Sequence, residues 1–174
     1  MKKSARFLMG LLVPAFMLAG VAANPAMAQQ KAGASAKDLV GTWMLVSNNT
    51  TLPDGKLIQP FGPNPAGMLV FDTAGRYSLQ ICRPGRAKFA SNNREKGTAE
   101  ENQATVSGCN PHWGKYSVDE KDRAIVFQIE HGTFPNWEGI QQKRPFTIAG
   151  DELKYTVPAA SVGGVAEVLW KRAK

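Results

Sequence analysis

Histidine, cysteine and long apolar runs are scarce in this chain of 174 residues, and each scarcity removes a class of function. The two histidines, His112 and His131, stand 19 positions apart and make no His-x-x-x-His pair, so no helical metal site is expected. The two cysteines, Cys82 and Cys109, do not form Cys-x-x-Cys, which argues against a dithiol redox motif. There is neither a Gly-x-Ser-x-Gly elbow nor a glycine loop of the kind that cradles phosphate, and no cofactor is expected. Beyond residue 28 no stretch approaches the roughly 20 apolar residues that a helical span needs. Charge of one sign is not concentrated either. Lysine and arginine outnumber the acids 21 to 14, a net charge of +7, but they are scattered. The densest basic group is Lys171, Arg172 and Lys174, too thin for a nucleic-acid or membrane patch.

What is present begins with an address. Lys2, Lys3 and Arg6 precede an apolar run from Leu8 to Val21, broken by Gly10, Pro14 and Gly20, and Ala26-Met27-Ala28 supplies a small-x-small cleavage pattern. The sequence therefore predicts a signal peptide over 1–28, cleaved after Ala28, and an exported protein, periplasmic or secreted. The competing reading, a retained anchor, is opposed by the shortness of the run and by its internal proline. The remaining 146 residues suit one domain, and their net charge is +4, from 18 basic against 14 acidic residues. Export permits a disulfide between Cys82 and Cys109. It would close a loop of 27 residues and contribute about 3 kcal/mol in the chain-entropy model. Two unpaired thiols are the alternative, and spacing alone does not choose between them.

Residues 29–37 are small and polar, a flexible lead-in. From there, short segments with β character alternate with turn signals such as Pro53-Asp54-Gly55 and Thr73-Ala74-Gly75. Strands are expected over 39–48, 67–72, 76–83, 113–119, 123–131, 139–149, 152–157 and 165–172. Thr98 and Glu101 fit a capping box, placing one short helix near 98–106. About eight closely spaced strands point to an all-β sandwich or closed barrel, and closure removes the exposed edges that invite aggregation.

Several motifs occur in a telling order. Gly41-Thr42-Trp43 is a Gly-x-Trp opening strand, followed by Gly62-Pro63-Asn64-Pro65-Ala66-Gly67 and Gly75-Arg76-Tyr77-Ser78. Then come Arg83-Pro84, Gly114-Lys115-Tyr116-Ser117-Val118-Asp119, Phe134-Pro135-Asn136-Trp137, Arg144-Pro145-Phe146, Gly150-Asp151-Glu152-Leu153 and the closing Leu169-Trp170-Lys171-Arg172. This set resembles the bacterial lipocalin-like domain family across nearly all of residues 38–173. The resemblance implies an up-and-down antiparallel β-barrel of about eight strands, one short helix in a long loop, and an internal cavity. It also implies that Trp43 plugs the closed end, with a basic residue of the last strand packed over it; Arg172 is the candidate. Fold alone does not identify a ligand.

Alternation assigns the inward face. Tyr77, Leu79 and Ile81, Ile125, Phe127 and Ile129, and Leu153, Tyr155 and Val157 would form large apolar patches if they faced water, so they face the core. A hollow barrel would make Tyr77, Phe127 and Tyr155 the walls of a ligand pocket; a filled one would make them packing. Parity carries Arg144 inward with Phe146 and Ile148. A buried guanidinium needs a carboxylate, either Glu130 or Glu138 of the protein or an organic acid as ligand. His131 continues the inward face of its strand, as a ligand contact or a polar plug, and Trp137 is either a lid or a staple for its loop.

The function expected is binding, carriage or sequestration of a small apolar or amphipathic molecule, an organic acid among the candidates. Two rivals stand: an isomerase- or cyclase-type enzyme using Arg144, Glu130 or His131, and a cell-envelope interaction module using residues 84–108. Glu130 and His131 are adjacent on a strand and point opposite ways, which weakens them as an acid–base pair.

Overall fold

Ser35 begins the part of the chain that the structure, a computed structural model, describes: residues 35–174. The signal peptide expected over 1–28 and residues 29–34 of the lead-in lie outside the described residues. Ser35 starts a one-turn helix, α1 (Ala36–Leu39), in which Asp38 Oδ2 accepts from Ser35 N at 2.8 Å and from Ser35 Oγ at 2.9 Å. These bonds satisfy donors that a helix start leaves unpaired.

Nine strands follow: β1 (Gly41–Thr51), β2 (Leu57–Ile58), β3 (Ala66–Phe71), β4 (Arg76–Cys82), β5 (His112–Asp119), β6 (Ala124–Gly132), β7 (Gln141–Ala149), β8 (Glu152–Val157) and β9 (Val165–Arg172). From β3 to β9 each strand pairs antiparallel with its chain neighbour, and β1 pairs with both β3 and β9. Eight strands thus close an up-and-down barrel, as the resemblance implied, while the two-residue β2 adds to the upper end of β1. A register shift between Leu45 and Ser47 bends β1, whose residues 41–44 pair with β3 and whose residues 43–51 lie along β9.

The long connection between β4 and β5 carries α2 (Ala99–Gly108), started by the expected capping box: Thr98 Oγ1 accepts from Glu101 N at 3.2 Å, and Glu101 Oε2 accepts from Thr98 N at 2.9 Å. A disulfide joins Cys82 and Cys109 where this loop leaves and rejoins the barrel.

The closed end explains the Gly-x-Trp opening. Trp43 is wholly buried, and its Nε1 donates to Leu39 O of α1 at 2.8 Å. The Arg172 guanidinium lies 4.1 Å from the centre of the Trp43 ring and donates to Val40 O at 2.9 Å and Asp38 O at 2.8 Å. Gly41 has a φ of +129°, and a Cβ there would stand 2.9 Å from Arg172 Nη1. Only glycine meets both demands at this position.

Above this plug the barrel is filled by its own side chains. Phe71, Tyr77, Tyr116, Phe127, Leu153, Tyr155 and Trp170 are buried in one cluster, with Phe127 at 4.7 Å from Tyr77 and 5.9 Å from Phe71 between ring centres. Among the described residues, a cleft opens toward the opposite end.

Alternation breaks again on β6, with a consequence for the site. Trp113 pairs with His131 but Gly114 pairs with Ile129, so Glu130 is an extra residue on β6. The bulge turns His131 outward, correcting its expected inward position: its side chain is 64% exposed, beside Trp113 and 3.4 Å from Glu138. Gly114 makes the bulge possible, since a Cβ there would collide with the backbone of Gln128 and Glu130.

Candidate functional site

The open end holds a cleft built from strand tops and the loops between them. Leu79 and Ile81 of β4, Tyr155 and Val157 of β8 and Ala166 and Val168 of β9 wall it; Phe61 and Trp137 stand at the mouth, with residues 160–162 across from them. The lining atoms leave about 470 Å³, counting the part open to solvent, and the cavity proper is about 50 Å³. The walls are mostly apolar, but Asn48, Thr50, His112 and Arg144 are buried polar exceptions among the lining residues.

Arg144 is the unusual member. Its strand alternates inward at Gln142, Arg144, Phe146 and Ile148, and Arg144 is only 2% exposed. Nη1 donates to Tyr155 Oη at 3.2 Å and Nη2 to Gln142 Oε1 at 2.7 Å, while Nε is buried without a partner. The guanidinium lies 4.4 Å from the centre of the Phe127 ring and 5.2 Å from that of Tyr155. No carboxylate forms an ion pair with it among the described residues. Glu130 instead binds Arg76 at 2.6 Å outside the barrel, a pairing that lowers the carboxyl pKa, and Glu138 sits by His131. Aromatic faces and neutral acceptors therefore offset part of the cost of burying this charge.

His112 stands beside it, 1% exposed, where sequence alternation had suggested His131. Its Nδ1 lies 2.8 Å from Tyr77 Oη, and its Nε2 lies 3.5 Å from Arg144 Nη2, too far for a strong bond. Burial above all, and then the Arg144 charge, hold the imidazole pKa well below its usual value, so the ring is neutral. Burial likewise raises the pKa of the Tyr77 and Tyr155 hydroxyls. The floor of the cleft is thus one permanent cation surrounded by neutral groups. Such an arrangement accepts negative charge.

The residues expected from sequence divide into three groups. Trp137, Arg144 and Tyr155 line the cleft. Tyr77 and Phe127, expected as ligand walls, lie a layer beneath it, because their rings pack against each other and support His112 and Arg144 from below. His131 is outside the barrel altogether. Sequence reasoning overlooked His112 as a site residue. Counting back in twos from Tyr116 through Gly114 reaches it, but the strand was started one residue too late, at Trp113. Trp137 is held edge-on to His112, 5.7 Å between ring centres, and to Phe134 at 5.4 Å. Among the described residues no cluster of three metal-ligating side chains occurs, and no helix is long and apolar enough to cross a membrane.

The family that the sequence matches agrees with this architecture. The model of the lipocalin-like domain family matches residues 40–173. A 4'-hydroxy-3'-methoxypropiophenone carrier protein of Aspergillus oryzae is 26% identical over 105 residues, covering 55% of this chain and 95% of that protein. Among solved structures, a variant of the fluorescent protein UnaG overlies 79% of this chain and 97% of its own, at 14% identity and a TM-score of 0.37.

Proposed function

This chain belongs to the lipocalin-like domain family, and from that premise we propose that it binds and carries a small, largely apolar molecule in the cleft at the open end of its barrel. One observation carries the proposal: a mostly apolar cleft ends on a buried guanidinium that no carboxylate among the described residues neutralises. Apolar walls supply affinity through burial, and a few fixed polar groups set orientation, the usual division of labour in small-molecule sites. The Aspergillus relative, named as the carrier of a single-ring compound, supports a cargo of that size. The enclosed part of the cleft, about 50 Å³, is smaller than such a molecule, so its ring would also occupy the open mouth between Phe61 and Trp137.

The amino-terminal segment of basic residues, apolar run and Ala26-Met27-Ala28 supports export, so carriage would take place in the periplasm or outside the cell. Sequencing the amino terminus of protein purified from its own host is expected to read from Gln29; an intact Met1 in the mature pool would overturn the export proposal. Native mass spectrometry of the same preparation tests the carrier proposal and is expected to show protein with one co-purified small molecule. A protein that arrives unliganded, and then takes up no neutral apolar fluorophore such as 1-aminoanthracene, would overturn it.

A further inference from the structure

The floor of the cleft holds more N–H donors than the protein supplies acceptors for. Arg144 uses Nη1 and Nη2 on two neutral oxygens, and its Nε has no partner although it is buried. The remaining ring nitrogen of His112, Nε2, stands next to it, 3.5 Å from Nη2. Unsatisfied buried donors around a fixed positive charge are costly to keep, and a packed apolar residue at position 144 would avoid the cost. That they are kept beside a cleft indicates an occupant that pays them back. Resting on the carrier reading above, we propose that the cargo bears one carboxylate on an apolar body of about one ring, seated against Arg144 and accepting a hydrogen bond from His112 Nε2.

The histidine has a means of responding. A neutral imidazole carries one N–H, and its position follows the partner of the other nitrogen. With Nδ1–H donating to Tyr77 Oη, Nε2 is bare and can only accept. With Tyr77 Oη–H donating to Nδ1, Nε2 carries the proton and becomes a donor toward the Arg144 side. A carboxylate next to Arg144 selects the second form, and Tyr77 supplies the hydroxyl that makes the exchange free of any net proton uptake. Tyr155, already bonded to Nη1, holds the guanidinium plane in place. The apolar body would then lie upward between Leu79, Val168 and Trp137. A long acyl chain exceeds this space and would project through the mouth.

The test titrates the disulfide-intact protein near neutral pH with 3-phenylpropanoate and its isosteric neutral amide, 3-phenylpropanamide, by calorimetry. The acid is expected to bind about tenfold to a hundredfold tighter than the amide, the worth of one charge-assisted hydrogen-bonded pair. In Arg144→Met, shown to be folded by its near-ultraviolet circular dichroism, the ratio of acid to amide affinity is expected to fall to near one. Nitrogen-15 spectra of histidine-labelled wild-type protein give a readout that needs no variant: in the acid complex the His112 proton is expected on Nε2, whichever nitrogen carries it in the free protein. Equal affinities for acid and amide, or a His112 proton on Nδ1 at saturation, overturn the carboxylate proposal and leave the apolar cleft standing. Failure of both probes while 1-aminoanthracene binds also overturns it, and failure of all three removes the carrier reading as well.

Discussion

Tyr77 Oη and His112 Nδ1 lie 2.8 Å apart, joining β4 to the first residue of β5 inside the barrel. The bond buries an ionisable ring in a place where protonation is opposed by burial first and by the Arg144 charge second. Those two causes have a consequence for how stability varies with pH.

Because the His112 pKa in the folded chain lies well below that in the unfolded chain, the unfolded state binds more protons once the pH drops beneath about 6.5. Stability is therefore expected to be fully present above that pH and to fall as the pH decreases toward the folded value. The slope from this one group would approach about 1.4 kcal/mol per pH unit. Tyr77 and Arg144 are the titratable side chains within hydrogen-bond range of the ring, and burial raises the Tyr77 pKa, so that hydroxyl stays neutral in this window. Urea denaturation at several pH values, compared with His112→Asn, measures the effect; an Asn variant with the same slope would refute the assignment.

Arg144 illustrates a conflict between stability and binding. Its charge is 2% exposed and its Nε has no partner. Replacing such a group by an apolar one of similar volume is often neutral or stabilising by about 1–4 kcal/mol. Arg144→Met is thus expected to unfold at an equal or higher urea concentration than the wild-type protein. A loss of several kcal/mol would mean that Tyr155 and Gln142 already compensate the charge fully, leaving no part of it for a ligand to offset.

Gly114 faces the bulge at Glu130, and a Cβ there would stand 2.8 Å from Glu130 N and closer still to Gln128 O. Neither atom is the movable tip of a side chain, so Gly114→Ala must push two strands apart. A loss of about 1–3 kcal/mol or more is expected, in the range of overpacked cores. Chemical denaturation gives the number, and a variant as stable as the parent would show that the bulge relaxes without cost.

At the closed end, Arg172 stacks on Trp43 and donates to the carbonyls of Val40 and Asp38. Arg172→Ala removes the stack and two hydrogen bonds to partly buried carbonyls, and about 2–4 kcal/mol of stability should go with them. Arg172→Lys keeps the charge but not the planar fork, so it is expected to recover less than half of that loss. A lysine variant equal to wild type would reduce the contact to simple charge.

Much of this protein was decided by the chain before any tertiary contact. Period-two alternation named the inward faces of β4, β6, β7 and β8, the Thr98–Glu101 box placed α2, and the ordered Gly-x-Trp, Gly-Arg-Tyr and Leu-Trp-Lys-Arg segments indicated a closed barrel. Arg144 was carried inward by the same parity. These are local properties, set by side-chain direction along one strand and by hydrogen bonds three residues apart.

What the sequence did not determine concerns pairs of strands. The extra residue at Glu130 exists only relative to Gly114 on the neighbouring strand, and it turns His131 outward, while His112 keeps the inward place that alternation along β5 gives it. Glu130 and Glu138 were available on paper as partners for Arg144, yet the barrel wall puts them on the far side with Arg76 and His131. Likewise Tyr77 and Phe127 face inward, but whether they touch a ligand depends on how high in the barrel they stand relative to Arg144 and His112. Period and propensity describe one strand at a time; register and height are fixed only when distant strands meet, because the hydrogen-bond ladder and the clash of side chains across it decide them together.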